Sequence, residues 1–164
     1  MTRSAARELA MRVVFAVSEG GLTAQWALEN IFGGEYYATL AEEDPVCAGG
    51  PPGEQLPYIR RVVEGVYERS EELEGYIGRY SVDRRSKRVS RVAAAIIKTA
   101  MFEVLYMPDI PNAAAINEAL ELGKRYEAAE TVAFINGVLG GFSRTELAAE
   151  RTAESEGQGE ARVE

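Results

Sequence analysis

Apolar residues recur at intervals of three and four along most of this chain, and this period is typical of amphipathic helices. The first such pattern, from residue 4 to about 19, is carried by Ala6, Leu9, Ala10, Val13, Val14 and Val17. Similar patterns cover residues 24–32, 58–80, 89–106, 112–126 and 131–142, and the pattern over 58–80 can break near Ser70, which would cap a further helix. No segment alternates apolar and polar residues as a half-buried strand would. The sequence therefore predicts an all-α bundle of about seven helices.

Two segments interrupt the helical period. Residues 33–57 contain four of the six prolines and a run of acids, which predicts a loop or an insertion. After Ser143 the sequence becomes polar and acidic, which is typical of a disordered tail. We therefore expect one helical domain over residues 1–143, with the insertion inside it, and a disordered tail over residues 144–164.

Two amides stand on or beside apolar stripes in the stretch from Ala115 to Gly141. A buried amide without partners costs about 1–3 kcal/mol, so such groups either fix how two helices meet or contact another molecule. We expect Asn117 to be an internal tie between helices. The second amide, Asn136, stands next to Gly137 and is the better candidate for contact with a ligand.

The chain contains no histidine and one cysteine, Cys47. This composition excludes a Cys/His zinc site, a Ser-His-Asp triad, a Cys-His pair and a Glu-x-x-His di-iron site. The Gly-Gly pairs lack the spacing of a phosphate-binding loop. Carboxylates remain available for hydrolysis, but most of them stand among other polar residues, as on a solvated helix surface. We therefore predict that the protein is not an enzyme and needs no metal or cofactor.

The compartment is predicted from the apolar runs and the cysteine content. No run approaches the roughly 18 consecutive apolar residues of a membrane span, and the amphipathic N-terminus lacks the cleavage site of a secretory signal. A single cysteine cannot form an internal disulfide. We expect a cytoplasmic protein without membrane contact.

Basic residues are unevenly distributed along this acidic chain. The formal net charge of −8 would argue against a nucleic-acid partner if it were spread uniformly. Residues 79–98, however, form a basic island of seven basic residues against a single acid. The basic members of this island are Arg79, Arg84, Arg85, Lys87, Arg88, Arg91 and Lys98. A smaller basic site is the first helix, where Arg3, Arg7 and Arg12 stand against Glu8.

Two interpretations of the basic island remain open. Its arginines either pair with acids elsewhere in the protein or contact the phosphates of a nucleic acid. Recognition of single-stranded RNA also needs planar side chains for stacking. Phe15, Tyr80 and Phe134 are candidates, although each is equally expected in the core. Two modest basic patches on an acidic protein predict weak RNA binding that a protein partner would strengthen.

The segment FEVLYMPDIPNAAAINEALELGKRYEAAETVAFINGVL, residues 102–139, resembles the signature of the NusB family of bacterial transcription antitermination factors. In that family a helix ends in Tyr-Glu-Leu-Leu and is followed by a proline-containing turn. The motifs Val-Ala-Ile-Asn-Glu-Ala and Phe-Val-Asn-Gly-Val-Leu come after that turn. Residues 6–10, Ala-Arg-Glu-Leu-Ala, are similar to the family's Ala-Arg-Glu-x-Ala. Residues 63–66, Val-Glu-Gly-Val, match its third-helix region. The resemblance covers roughly residues 3–142.

This resemblance implies an all-helical fold of two small bundles and a non-enzymatic, RNA-binding role. Members of the family pair with the ribosomal protein NusE, and the heterodimer binds the boxA element of nascent ribosomal RNA transcripts. The transcription antitermination complex then lets RNA polymerase elongate past terminators. No cofactor is implied.

The resemblance also carries over individual residues by position. Those in the family's RNA-contacting regions are Arg3, Arg7, Glu130, Phe134 and Asn136. Phe15 and Glu74 stand where the family's ribosomal-protein partner docks. Charge alone adds Arg84 and Arg88, in the basic island, as further candidates for RNA binding.

Departures from the family pattern leave two alternatives open. The family's first helix is denser in arginine, whereas Ser4, Ala5 and Ala6 follow Arg3 here. The chain is therefore either a boxA-binding factor or a NusB-like interaction scaffold with weak or no specific RNA binding. The same helical domain also occurs fused to ribosomal RNA cytosine methyltransferases, but the catalytic cysteines of those enzymes are missing from this sequence.

Overall fold

A computed structural model describes the backbone over residues 1–81 and 89–160. Side chains are described over the same ranges except at residues 34, 150–152 and 154–160. The helices are α1 (Arg3–Gly20), α2 (Ala24–Ile31), α3 (Gly34–Glu43), α4 (Leu56–Glu68), α5 (Ser70–Tyr80), α6 (Arg91–Tyr106), α7 (Asn112–Tyr126) and α8 (Ala129–Glu160). A short 3-10 turn, Gly53–Gln55, precedes α4. Within the described ranges there is no strand, so the all-α prediction is confirmed, with eight α-helices where about seven were expected.

Side-chain caps fix the starts of three helices. The hydroxyl of Thr2 accepts a hydrogen bond from the backbone N–H of Ala5 at the start of α1, and Thr23 and Ser90 cap α2 and α6 in the same way. Such a cap satisfies one of the N–H groups that a helix start leaves without a partner. The chain leaves α1 through Gly21, whose φ of 63° is in the left-handed region that favours glycine.

The helices form two small bundles joined by α6. Helix α4 packs against α1 and α2 in the first bundle; in the second, α8 packs against α5 and α7, and all three pack against α6. Helix α6 also packs against α1 and α4. Because α6 has neighbours on several sides, its apolar residues are buried nearly all around it, as expected of a central helix.

Residues 33–57 are more ordered than predicted, and the prediction of a loop is wrong for much of this segment. Helix α3 occupies residues 34–43, a turn follows over residues 45–49, and the 3-10 turn Gly53–Gln55 comes next. Tyr37 and Cys47 are buried, and Leu40, Ala41 and Val46 pack against the core, whereas Tyr36 is exposed. The acids and prolines end α3 but do not keep the segment away from the domain.

The prediction of disorder directly after Ser143 is also wrong, because the backbone of α8 is helical to Glu160. Phe142 is fully buried, and Leu147 packs against the core one turn later. The carboxylate of Glu146 accepts hydrogen bonds from the Tyr80 hydroxyl at 2.5 Å and from Arg79 at 3.1 Å, which ties α8 to α5. No helix within residues 1–81 and 89–160 is long and apolar enough to span a bilayer.

Candidate nucleic-acid and partner surfaces

Arg3 lies exposed in the first turn of α1. Its Nε donates a hydrogen bond to Oε1 of Gln55 over 2.7 Å. Its guanidinium carbon lies 4.1 Å from the centroid of the Tyr58 ring, which is a cation–π distance. Both contacts are made with uncharged groups, so Arg3 is held in place while it keeps its positive charge.

Arg7, one turn further along α1, is buried and paired. Only 5% of the residue is exposed, its Nε lies 2.8 Å from Oε1 of Glu103, and its Nη1 lies 3.5 Å from Oε2 of Glu118. Burial alone would lower the pKa of Arg7, but the hydrogen bond and the charge of Glu103 raise it overall. The charge of Arg7 is therefore neutralised inside the protein.

The hydroxyl of Tyr58 donates a short hydrogen bond to the same Oε1 of Glu103. Burial, followed by the charge of Glu103, raises the pKa of Tyr58 well above its ordinary value, so the hydroxyl stays protonated and remains a donor. Glu103 is fully buried, and its Oε2 has no hydrogen-bond partner among the described residues. This buried carboxylate connects α1, α4 and α6 at the base of the surface around Arg3.

Arg12, the third arginine of α1, also has acids beside it. Its guanidinium forms a short ion pair with Asp44 and lies 3.1 Å from Glu8. Its Nε donates to the hydroxyl of Tyr126 over 2.6 Å, and Glu8 is also paired with Arg125 of α7. Arg12 therefore links α1 to α7 and to the end of α3.

The structure separates these three arginines, which are equivalent in the sequence. Among the arginine and lysine side chains that the structure describes, only Arg3 and Arg144 have no carboxylate oxygen within 4.0 Å. A cation with uncharged partners can attract a phosphate without first losing an internal ion pair. Arg3 is thus the arginine of α1 best suited to contact an anion.

The start of α8 carries the other residues expected near RNA. Glu130 is exposed in the first turn, and Asn136 is exposed beside the exposed Gly137. Phe134 is half-buried and packs against the core, so only part of its ring is available for stacking. Asn136 is therefore placed where its amide can reach a ligand.

An apolar groove lies between the second half of α1 and helices α4 and α5. It has a volume of about 190 Å³ and an opening where Tyr67 is 49% exposed. The residues that line this groove are Val14, Val17, Ser18, Val63, Val66, Tyr67, Ser70 and Glu74. Four valines give it an apolar floor, and Glu74 places a carboxylate at its edge. We call it the valine groove.

A second groove adjoins the valine groove and shares Ser18 and Glu74 with it. Glu74 is exposed, and its carboxylate accepts a hydrogen bond from Nζ of Lys98 over 2.8 Å. The Lys98 side chain is only 7% exposed, so this amine holds the carboxylate from below. Phe15 lies one turn before Ser18 on α1 and is half-buried against the core.

Comparisons with known proteins agree with this fold. A family model described as the NusB family matches residues 4–144. The chain belongs to the NusB family. It is 32% identical over 140 residues to the transcription antitermination protein NusB of Clostridium botulinum (strain Kyoto / Type A2), covering 85% of this chain and 98% of the relative. It is 35% identical over 147 residues to NusB of Acetivibrio thermocellus, covering 90% and 92%.

A solved structure of NusB from T. maritima has the same fold, with a TM-score of 0.66 and 22% identity over 88% of this chain and 92% of that one. The NusB family consists of transcription antitermination factors and not of enzymes, so the prediction of a non-enzymatic protein is confirmed. Membership implies, in general terms, RNA and an antitermination complex as partners. Within residues 1–81 and 89–160, no cluster of acids and cysteine is arranged to hold a metal ion.

The NusB-like positions named from the sequence fall on three parts of the molecule, one of which is the start of α8 with Glu130, Phe134 and Asn136. Arg3 and Arg7 lie at the start of α1, whereas Phe15 and Glu74 lie at and beside the grooves at its other end. Asn117 is exposed, so the prediction that it ties helices together internally is wrong. The positions Arg84 and Arg88 lie outside the described residues.

Several contributors to these surfaces were not predicted from the sequence. Gln55 and Tyr58 hold Arg3, Glu103 neutralises Arg7, and Tyr67 opens the valine groove. Arg3 and Gln55 are 52 residues apart in the chain, and no local spacing connects them. For Tyr67 there was a signal: at 100° per residue, it falls about 110° from the centre of the stripe that the buried residues of α4 form, and therefore at the edge of the packed face.

Proposed function

We propose that this NusB-family factor binds the boxA RNA of ribosomal RNA transcripts together with the ribosomal protein NusE, and thereby supports ribosomal RNA transcription by RNA polymerase. The observation that carries the RNA part of this proposal is the state of Arg3. It is exposed and fixed by Gln55 and Tyr58, and no carboxylate of the described residues lies within 4.0 Å of it. Such a group is ready to contact a phosphate.

The proposed RNA surface combines Arg3 with Glu130, Phe134 and Asn136 of α8. Carboxylate and amide groups recognise the edges of unpaired bases, and the exposed part of a phenylalanine ring can stack on a base. Arg7 supports this surface from inside through its pair with Glu103. Arg84 and Arg88 remain proposed contacts on the grounds of charge alone.

The proposed partner surface is the valine groove with the adjoining groove beside Phe15 and Glu74. Interfaces are commonly anchored by an aromatic side chain around a desolvated apolar pocket. Tyr67 supplies the aromatic group, the valines supply the pocket, and Glu74 favours a partner with a basic side chain. We propose that NusE docks here and contributes the RNA contacts that the internally paired arginines of α1 do not make.

RNA binding is tested by titrating a boxA-containing oligonucleotide into the protein, with and without NusE, over a series of salt concentrations. Arg3→Ala should weaken binding about tenfold, the effect of losing one charge-assisted hydrogen bond. The slope of log K against log salt should become less steep by about 0.7 if one phosphate contact is lost. Lys124→Ala removes the same charge from an exposed surface pair with Glu121 and should change neither quantity.

Partner binding is tested with Tyr67→Ala and measured by calorimetry with NusE. Loss of an anchoring aromatic should weaken the heterodimer at least tenfold. Trp26→Ala is the matched control, because Trp26 is 50% exposed and does not line the valine groove. Equal effects of the two substitutions would place the partner elsewhere.

The alternative is an interaction scaffold without specific RNA affinity. It is favoured by one observation: Arg7 and Arg12, two of the three arginines of α1, are neutralised by internal acids. Binding of NusE without any RNA binding by the heterodimer at low salt would support the scaffold and refute the boxA proposal.

A further inference from the structure

The segment between α3 and α4 lies along the first turns of α1. Asp44, at its beginning, contacts Arg12, and Gln55, at its end, contacts Arg3. The segment therefore runs opposite to α1 over the distance from Arg12 back to Arg3, which is about 13 Å at 1.5 Å per residue. Part of what the sequence marks as an insertion is thus in contact with the arginines of α1.

We propose that Gln55 and Tyr58 are positioning residues that pre-order Arg3 for contact with RNA. This inference rests on the proposed RNA-binding function and adds to it a role for two residues outside α1. Oε1 of Gln55 accepts a hydrogen bond from the Nε–H of Arg3, and the ring of Tyr58 lies against the guanidinium. The two Nη groups are therefore the part of the guanidinium left to contact a phosphate.

Pre-ordering matters because a free arginine side chain loses much rotational freedom when it binds. That loss weakens binding unless the side chain is already held in its bound conformation. For one rotamer-rich side chain the effect on affinity is about three- to tenfold. Gln55 and Tyr58 bring about this ordering within the free protein.

Tyr58 is itself held rigidly. The residue is only 5% exposed, and its hydroxyl donates to Glu103, the carboxylate that also accepts from Nε of Arg7. The ring therefore cannot turn away from Arg3 without breaking a buried hydrogen bond, which is unfavourable. The buried network around Glu103 in this way fixes an exposed cation on the surface above it.

The uncharged acceptor on Arg3 is essential to the inference. Arg12 receives a carboxylate, Asp44, from the beginning of the same segment, whereas Arg3 receives an amide from its end. An amide fixes the guanidinium without cancelling its charge. Gln55→Glu should place a carboxylate on Arg3, weaken RNA binding by more than Gln55→Ala does, and make the salt slope less steep by about 0.7.

The test is a double-mutant cycle on RNA affinity with the full chain and a boxA-containing oligonucleotide. Gln55→Ala should weaken binding about three- to tenfold in the wild-type background and have no further effect in the Arg3→Ala background. Gln25→Ala is the matched control, because Gln25 is an exposed glutamine bonded to a surface side chain of α2. It should leave affinity unchanged.

The ring is tested separately. Tyr58→Phe loses the hydrogen bond to Glu103 but keeps the aromatic face under Arg3, and because the residue is only 5% exposed, packing should still hold the ring there. Its affinity per folded molecule should therefore stay within about twofold of wild type. Tyr58→Leu removes the aromatic face and should weaken RNA binding about as much as Gln55→Ala does. The folded fraction of each variant is measured by urea titration, so that loss of stability is not mistaken for loss of binding. Equal affinities for the phenylalanine and leucine variants would overturn the role of the ring.

The outcomes separate this inference from the function on which it rests. If the wild-type chain binds no boxA RNA, with or without NusE, the proposed function fails. If Arg3→Ala weakens binding but Gln55→Ala does not, the function stands and the positioning role is overturned. If Gln55→Ala weakens binding equally in both backgrounds, Gln55 acts independently of Arg3, and the inference is again wrong.

Discussion

Replacing Arg7 with methionine should destabilise the fold far more than it weakens RNA binding by the folded protein. Arg7 is 5% exposed, and its partner Glu103 is fully buried. Removing one member of a buried ion pair typically lowers the free energy of unfolding by 3–5 kcal/mol, because the other charge stays buried. In Arg7→Met the Glu103 carboxylate would keep only the hydrogen bond from Tyr58. We therefore expect a loss of about 3–5 kcal/mol, or about 6–20 °C in Tm for a domain of this size.

Two further variants check the origin of this loss. Glu103→Met leaves Arg7 with Glu118 at 3.5 Å but also removes the acceptor of the Tyr58 hydroxyl, so its destabilisation should lie in the same range of about 3–5 kcal/mol. The double variant Arg7→Met/Glu103→Met removes both charges and leaves the Tyr58 hydroxyl without its acceptor, at a cost of about 1–3 kcal/mol. It should therefore be more stable than either single variant. Losses that simply add would show that the two residues do not act as a pair.

The measurements are urea denaturation followed by far-UV circular dichroism, and RNA titration corrected for the folded fraction. Arg3→Met is the control for charge, because it removes the same charge from an exposed site and should cost no more than about 1 kcal/mol. An Arg7→Met variant that keeps wild-type stability but loses tenfold in RNA affinity would contradict this prediction, since Arg7 would then contact RNA directly.

Two other predictions follow from the packing and the charges. Gly65→Ala should lower the free energy of unfolding by about 1–2 kcal/mol in urea titrations, because the added Cβ would stand 2.1 Å from the buried ring of Phe102. Gly75→Ala is the control on α5: a Cβ there has no atom within 4 Å, so this substitution should stabilise the helix by up to about 1 kcal/mol. Burial tends to raise the pKa of Asp44, but a backbone N–H and Arg12 outweigh it and hold the pKa below 3.8. The ionised Asp44 therefore adds stability above about pH 4 that is lost as the pH falls through the lowered pKa, so Asp44→Asn should destabilise at pH 7 and progressively less in more acidic urea titrations. An Asp44→Asn effect that grows on acidification would contradict this sign.

The helical period predicted most of the fold because the long helices other than the central α6 each bury one continuous apolar stripe. Helix α3 was not predicted because it lies among glycines, acids and prolines, and its stability comes from packing that the local sequence does not report. The error on Asn117 was avoidable. The buried residues of α7 are Ala115, Ala119, Leu122 and Gly123, and at 100° per residue Asn117 points away from the stripe that they form.

The candidate site was less predictable than the fold, for a physical reason. Charge counting treats Arg3 and Arg7 alike, but the structure gives one an uncharged amide and the other a buried carboxylate. Glu103, which makes the difference, is 96 residues from Arg7 in the chain. Whether an arginine can attract a phosphate depends on such long-range partners, and no spacing rule within one helix contains them.

The arrangement of the two surfaces along α1 explains why a partner would be needed for RNA binding and could be accommodated. Arg7 and Arg12 are paired with internal acids, so Arg3 is the one arginine of α1 that has no described carboxylate within 4.0 Å. A single phosphate contact gives little affinity at physiological salt. The valine groove begins at Val14, about 17 Å along the helix from Arg3 at 1.5 Å per residue. A protein docked in that groove would not cover Arg3. Its own basic residues could then extend the surface that a single strand of RNA follows, so that the two proteins together supply the charge that α1 uses for its own folding.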